Sequence, residues 1–448
     1  MFKNHSKPLI KTKTSRLSPH SWLLLVKDKE LRNRILFTLL VLFVYKLGLF
    51  ITVPNVKVTD LVGSLSDSSW LNLISLVGGG GLETFSILSL GVTPYITASI
   101  IIQLLSMDVI PHLTQLAKEG AKGRKKLDQY TRYMSVLFAF IQAFSIVYMI
   151  NKNYAGVLQN ANSFAQMAYI ALVFTAGSMA LVWLGDQISA HGVGNGMSLI
   201  IAAGIVGRLP QSMISSFNTL ITSKSAPENG TWIFVGYIAA YLLIIVLVTL
   251  LNTAERRLPV QYTTSSLQLA KQKMNNYIPL KVNSASVIPV IFASSLMMAP
   301  LQIAGFFVES DTLSKMKNWL GMGTWYSLII YAVLIVLFTF FYVQMQINPE
   351  KLAENLGIAG AYIPSIRPGK ETEKYVDTVL SRITVLGSFA LMLIALLPHV
   401  LPLVWKDMPS SISLGGTGMI IVVGVALETA KQLTGMLIQK SYKTDSDF

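Results

Sequence analysis

Apolar runs recur along the chain, parted by short polar stretches. A helix rises about 1.5 Å per residue, so a bilayer core of about 30 Å takes ~20 apolar residues to cross. Nine runs come near that length: 35–53, 133–151, 164–184, 197–216, 232–252, 287–307, 325–347, 379–401 and 412–438. A tenth, 92–107, is apolar but short. The pattern predicts an all-α polytopic membrane protein with ten transmembrane helices. Ten divides into five and five, and an odd-numbered repeat must enter the membrane the other way up the second time. The expectation is two inverted five-helix halves, 35–217 and 232–438, although no repeat is evident in the letters. The polar, turn-rich stretch "FNTLITSKSAPENG" places the break in an external linker, 218–231.

The remaining segments are polar. Residues 1–34 form a basic N-terminal segment, with 1–20 expected as an unstructured tail and Lys27 to Arg34 as an amphipathic helix on the membrane surface. "SWLLLV" is too short for a secretory apolar core, so no cleavable signal peptide is expected. Long loops are expected at 253–281 and 349–378, and a tail at 439–448.

Composition agrees with lipid as the solvent. Of 448 residues, 52% are hydrophobic and 13% charged, against about 25% charged in soluble domains. The net charge of +14 would fit nucleic acid, but its placement gives another account. With the N-terminus in the cytoplasm, cytoplasmic segments hold 28 Lys and Arg and outer segments seven, with Lys46 inside the first span. That is the positive-inside bias, and it absorbs the net charge. It puts both termini in the cytoplasm. The absence of cysteine excludes disulfides, thiolate metal sites and a Cys nucleophile. The five histidines are scattered, without an H-E-x-x-H pattern. No catalytic residue, metal or cofactor is expected.

One stretch breaks the rhythm. "SLVGGGGLETFSILSLGVTPYI", 75–96, sets four glycines between apolar runs. A phosphate-binding loop would need G-x-x-x-x-G-K-[ST], which the chain lacks. A plain linker would not need the helical scrap "WLNLISLV", 70–77, in front of it. Non-helical backbone at membrane depth is tolerated where protein or a watery cavity surrounds it. This segment is therefore expected to line a funnel.

At this point the chain resembles SecY, the family of protein-conducting channels. "GVTPYITASIIIQLL" (91–105) is similar to the family's second transmembrane segment, and "AKEGAKGRKKLDQYTRY" (117–133) to its first large cytoplasmic loop. "WLGDQISAHGVGNGMSLII" (183–201), "IPLKVNSASVIPVIFASS" (278–295), "NPEKLAENLGIAGAYIPSIRPGKETEKYVDTVLSRIT" (348–384) and "LGGTGMIIVVGVALET" (414–429) follow in family order.

The resemblance implies the working parts. A plug at 65–77 stops the channel from outside: Trp70, Leu71, Leu73, Ile74 and Leu76 would fill the funnel, and Gly78, Gly79, Gly80 and Gly81 would be its hinge. A mid-membrane ring of apolar side chains falls at Val92, Ile96, Met197, Ile201, Ile291 and Ile421. Val92 and Met197 depart from the commoner isoleucine, and flexible methionine makes a softer seal. A lateral gate opens between the second and third segments and the seventh and eighth, with Thr97, Gln142, Ser294 and Ser295 as its polar residues. Arg256, Arg257, Arg367 and Lys370 sit on loop tips that dock a SecA-type motor ATPase and the translating ribosome. SecE-like and SecG-like small subunits are implied as partners. So are signal-sequence-bearing preproteins and the lipid of a bacterial plasma membrane.

The match loosens at "TTSSLQLAKQKMNNY" (263–277) and in the N-terminal tail, which leaves an accessory-type paralogue for dedicated substrates as an alternative. A secondary transporter also uses inverted repeats and broken helices, but it needs ionisable residues near the midplane. The deep ones are few, with Lys46 in the first span the clearest; Asp186, Glu428 and Lys431 lie near cytoplasmic ends.

Overall fold

The computed structural model describes residues 29–54, 56, 81, 82, 84–107, 109–153, 164–222, 229–262, 277–304, 319, 324–404 and 411–446. Twelve helices are described: α1 (Lys29–Gly48), α2 (Thr93–Leu105), α3 (Pro111–Lys118), α4 (Ala121–Asn153), α5 (Phe164–His191), α6 (Gly196–Phe217), α7 (Gly230–Thr253), α8 (Ile288–Ala304), α9 (Trp325–Gln346), α10 (Pro349–Ile358), α11 (Lys370–Val404) and α12 (Ser411–Ser446). Among the described residues, seven helices are long and apolar enough to cross a membrane. Two more, α2 and α8, are apolar but short. Helix α1 carries Arg32, Arg34 and Lys46 beside its apolar stretch.

Outward faces are apolar: Phe43, Leu242, Leu250, Ile329 and Leu386 are all more than half exposed. That inverts the soluble pattern, in which large exposed apolar patches are rare. Lipid gives helices no hydrophobic reason to associate, so small residues that admit close packing carry the contacts. A side chain at Gly196 would strike the backbone of Gly185, and one at Gly185 would strike Met197.

The two halves have one plan. In the first, α2 packs on α4, α4 on α5, α5 on α6, and α1 on α5 and α6. In the second, α8 packs on α9, α9 on α11, α11 on α12, and α7 on α11 and α12. Helices α6 and α12 join the halves on one side; α8 meets α2 and α4 on the other. The chain after each first helix also pairs with the chain entering each second one. Thr52 bridges Ser86 in the first half. In the second, β1 (Glu255–Pro259) pairs antiparallel with β3 (Tyr277–Lys281).

The repeat does leave letters, which the sequence reading missed because they are few and lie far apart. Val92-Thr93-Pro94-Tyr95-Ile96 recurs as Val287-Ile288-Pro289-Val290-Ile291, at the heads of α2 and α8. Gly177-Ser178-Met179-Ala180-Leu181 recurs as Gly387-Ser388-Phe389-Ala390-Leu391, inside α5 and α11.

Other boundaries shift. Lys29–Arg34 is the first part of α1, continuous with the apolar stretch, and not a separate surface helix. The expected tail from 439 continues α12 to Ser446. The loop 349–378 holds α10, capped by Asn348, whose Oδ1 accepts from the amides of Glu350 (3.0 Å) and Lys351 (3.3 Å). Strand β2 (Gln261–Tyr262) pairs with β4 (Ala361–Tyr362), so the two long loops are stitched together.

Candidate functional site

Proline and glycine chemistry sets the heads of α2 and α8. Pro94 and Pro289 each occupy the first helical turn, where the missing N–H costs nothing. Two residues before each helix the backbone is left-handed, at Gly91 (φ 59°) and Ser286 (φ 55°). Glycine adopts that conformation freely. Ser286 is supported instead by a neighbour: Asn283 Nδ2 donates to its carbonyl oxygen at 2.9 Å. Val92 is therefore the N-cap of α2, and Ile96 lies one turn in.

The expected ring residues come together. Val92, Ile96, Ile201, Ile291 and Ile421 are buried members of one apolar cluster that draws on both halves, and Met197 packs against it half-buried. Met197 is placed by Asn195, whose Oδ1 accepts from the Met197 amide at 3.1 Å and caps α6. Packing alone does not separate these six from the other apolar residues of the cluster; the resemblance singled them out.

The expected gate residues lie on α2, α4 and α8, and α8 packs on the other two. Thr97, Gln142 and Ser295 are buried and Ser294 half-buried. Thr97 Oγ1 donates to Thr93 O (3.1 Å) and Ser294 Oγ to Ile291 O (2.9 Å), each within its own helix. Gln142 Oε1 is buried without a hydrogen-bond partner. Such an acceptor costs about 1–3 kcal/mol. At the far end of the same wall, Arg132 and Asp186 form an ion pair at 2.8 Å between α4 and α5.

Of the plug and hinge, Trp70, Leu71, Leu73, Ile74, Leu76, Gly78, Gly79 and Gly80 lie outside the described residues. Gly81 is buried and held. Its carbonyl accepts from the Ser86 amide (2.8 Å), Ser89 Oγ (2.7 Å) and Thr84 Oγ1 (3.2 Å). A Cβ there would sit 3.1 Å from Ser89 Cα and from Leu49 Cδ2. Gly81 is thus a fixed anchor, over a core of Leu82, Phe85, Ile146 and Phe174.

The residues expected to dock partners, Arg256, Arg257, Arg367 and Lys370, are exposed on the stitched loops. Arg257 is already engaged, 2.9 Å from Glu255 and 4.7 Å from the Tyr277 ring centroid. Arg367 is exposed, and its carbonyl is fixed by Thr372 Oγ1 at 2.8 Å. Lys370 opens α11 after the left-handed Gly369 (φ 98°).

Sequence reading missed Asn252 and Asn283, which tie helices around a polar cavity. Asn283 Nδ2 donates to Asn252 Oδ1 (3.0 Å), and Lys431 Nζ on α12 donates to Asn252 O (2.7 Å). The cavity is lined by these three with Lys281, Tyr342, Gln346 and Glu428. Two asparagines 31 positions apart in sequence carried no local signal.

The comparisons fit this arrangement. The SecY family profile matches residues 86–430. The protein translocase subunit SecY 1 of Lactobacillus kefiranofaciens is 43% identical over 93% of this chain and 97% of its own. The protein translocase subunit SecY of Mycoplasma capricolum is 41% identical over 97% and 93%. Among solved structures, a protein-conducting channel is similar with a TM-score of 0.59 at 17% identity, over 91% of this chain and 93% of its own. A SecY structure described for its plug domain, which stabilises the closed state, gives 0.62 at 17% identity over the same shares. These two show the fold. The chain belongs to the SecY family of protein translocase subunits, a family of multi-pass membrane channel components.

Proposed function

We propose that this chain is the central pore-forming subunit of a general Sec translocon in a bacterial plasma membrane. It moves unfolded preproteins across and releases signal sequences and transmembrane segments sideways into lipid. Both termini face the cytoplasm, in line with the asymmetry of Lys and Arg. The observation that carries the reading is that five of the six ring positions are buried in one apolar cluster fed by both halves, with Met197 packed on it.

A conduit for polypeptide must hold back ions when idle, and a hydrophobic constriction does this by dewetting. Val92, Ile96, Met197, Ile201, Ile291 and Ile421 supply such a constriction without any charge that would hydrate it. The plug, 65–77, closes the outer funnel and swings from Gly81, with Gly78–Gly80 as the pivot.

The side exit follows from the same chemistry. Thr97 and Ser294 satisfy their hydroxyls within their own helices, so parting α2 from α8 leaves neither hydroxyl unpaired. An apolar segment leaving water for lipid gains about 0.8 kcal/mol per buried CH₂, enough to drive its transfer through such a seam.

The chain has no nucleotide-binding motif, so energy comes from a partner. A SecA-type motor or a translating ribosome docks on the joined loops through Arg256, Arg367 and Lys370, and SecE-like and SecG-like subunits complete the assembly. Among structural neighbours, the canine Sec61 structure (TM-score 0.54) is described in a ribosome–channel complex.

The test is ion leak. Ile96→Ser, Ile201→Ser, Ile291→Ser and Ile421→Ser are expected to raise conductance in planar bilayers. A leak equal to the native channel in all four rules out the ring.

A further inference from the structure

Helices α2 and α8 carry three of the six ring residues, and something must fix how far their heads project into the pore. The backbone six residues before each helix runs against a glycine of a neighbouring span. In the first half that residue is Ile87, against Gly177 of α5. A Cβ at Gly177 would fall on the Ile87 carbonyl oxygen and lie 2.8 Å from its carbonyl carbon. In the second half it is Val282, against Gly387 of α11. A Cβ at Gly387 would fall on the Val282 carbonyl oxygen and lie 3.2 Å from its carbonyl carbon. These glycines are the first letters of the repeated G-S-x-A-L. From each clamp the chain passes the left-handed residue, Gly91 or Ser286, and reaches Val92 and Ile96 or Ile291.

We propose that Gly177 and Gly387 are positioning residues for the pore ring, two clamps that set the depth of α2 and α8. The inference rests on the ring reading above. The clamps differ in one bond. Ser178 Oγ donates to the Gly91 carbonyl oxygen at 2.9 Å, pinning the residue next to Val92. Ser388, its counterpart, turns its hydroxyl to Val385 O of its own helix at 2.9 Å. The first half is thus held by contact and hydrogen bond, the second without that bond. The lead-in to α8 is supported from another direction, by Asn283 on Ser286 O.

The difference gives a test that a general packing role would not pass. Ser178→Ala is expected to raise the ion leak of the reconstituted closed channel several-fold, and Ser388→Ala to leave it at the native level. Gly177→Ala and Gly387→Ala are expected to raise the leak as well. Gly123→Ala is the matched control, because its Cβ would meet the Leu116 carbonyl in the same way, at the α3–α4 corner. It should lower thermal stability without leak. Equal leak from Ser178→Ala and Ser388→Ala overturns the proposal, as does leak from the two clamp variants no greater than from Gly123→Ala. Should the clamp variants not fold, the serine pair decides. Ile96→Ser and Ile291→Ser are measured in the same bilayers. If they leak while the clamp and serine variants do not, the clamps alone are wrong; if they do not leak, the ring and the clamps fall together.

Discussion

Tyr362 donates a hydrogen bond to Gln261 Oε1 at 3.0 Å, across the joint where the two long loops pair as β2 and β4. The bond ties the loop that carries Arg256 to the loop that carries Arg367, 111 positions away in sequence. Exposed bonds of this kind contribute about 0.5–1.5 kcal/mol. Tyr362→Phe should therefore lower motor-stimulated translocation modestly. Gln261→Pro, which loses the same bond and also puts a proline into the strand, should lower it further. Motor-stimulated preprotein transport checks both, and an unchanged rate in Gln261→Pro would show that the joint does not organise docking.

The arginines proposed for docking are not equivalent. Arg257 already lies against Glu255 and Tyr277, whereas Arg367 is exposed on a backbone braced by Thr372. A free guanidinium can take a carboxylate or phosphate bidentately. Arg367→Glu is expected to abolish motor-driven translocation while the protein still inserts and folds; Arg257→Ala should keep most of the activity. Secretion assays on the two variants check the ranking, and normal secretion in Arg367→Glu refutes the role.

The plug is expected to seal and not to conduct. Deleting 65–77 should give a channel that leaks ions when idle yet still translocates, because Gly81 keeps the lead-in to α2 anchored through Ser86 and Ser89. Loss of translocation alongside normal membrane levels would mean that the segment does more than stop the pore.

The ion pair of Arg132 with Asp186 is half-exposed, with side-chain accessibilities of 54% and 35%. Such pairs contribute about 0–1 kcal/mol and weaken with salt. Asp186→Asn should shift the thermal midpoint slightly at low salt and less at high salt. A large, salt-independent loss would show that Asp186 carries a buried structural role.

The spans were legible because lipid imposes one rule on every residue that faces it. Their cores, such as 197–216 and 325–347, match α6 and α9 within a residue. Their extensions were not legible, since α11 and α12 continue into charged segments where the hydropathy signal ends. Strands β2 and β4 were missed because they are two residues each and stabilised by partners from another loop. The proposed ring positions could be named only through family resemblance, because an apolar residue in an apolar helix carries no private signal. The clamps were missed because each depends on a backbone carbonyl, which no letter encodes; only the repeated glycine and serine record them.

Passage of unfolded polypeptide is the function proposed for this chain. It is tested by reconstituting the purified protein, with SecE-like and SecG-like subunits added, into lipid vesicles with a SecA-type motor, ATP and a labelled preprotein, followed by external protease. Full-length preprotein should be protected, in a manner that depends on motor and ATP and is absent from empty vesicles. Folded protein in the vesicles with no protected preprotein would contradict it.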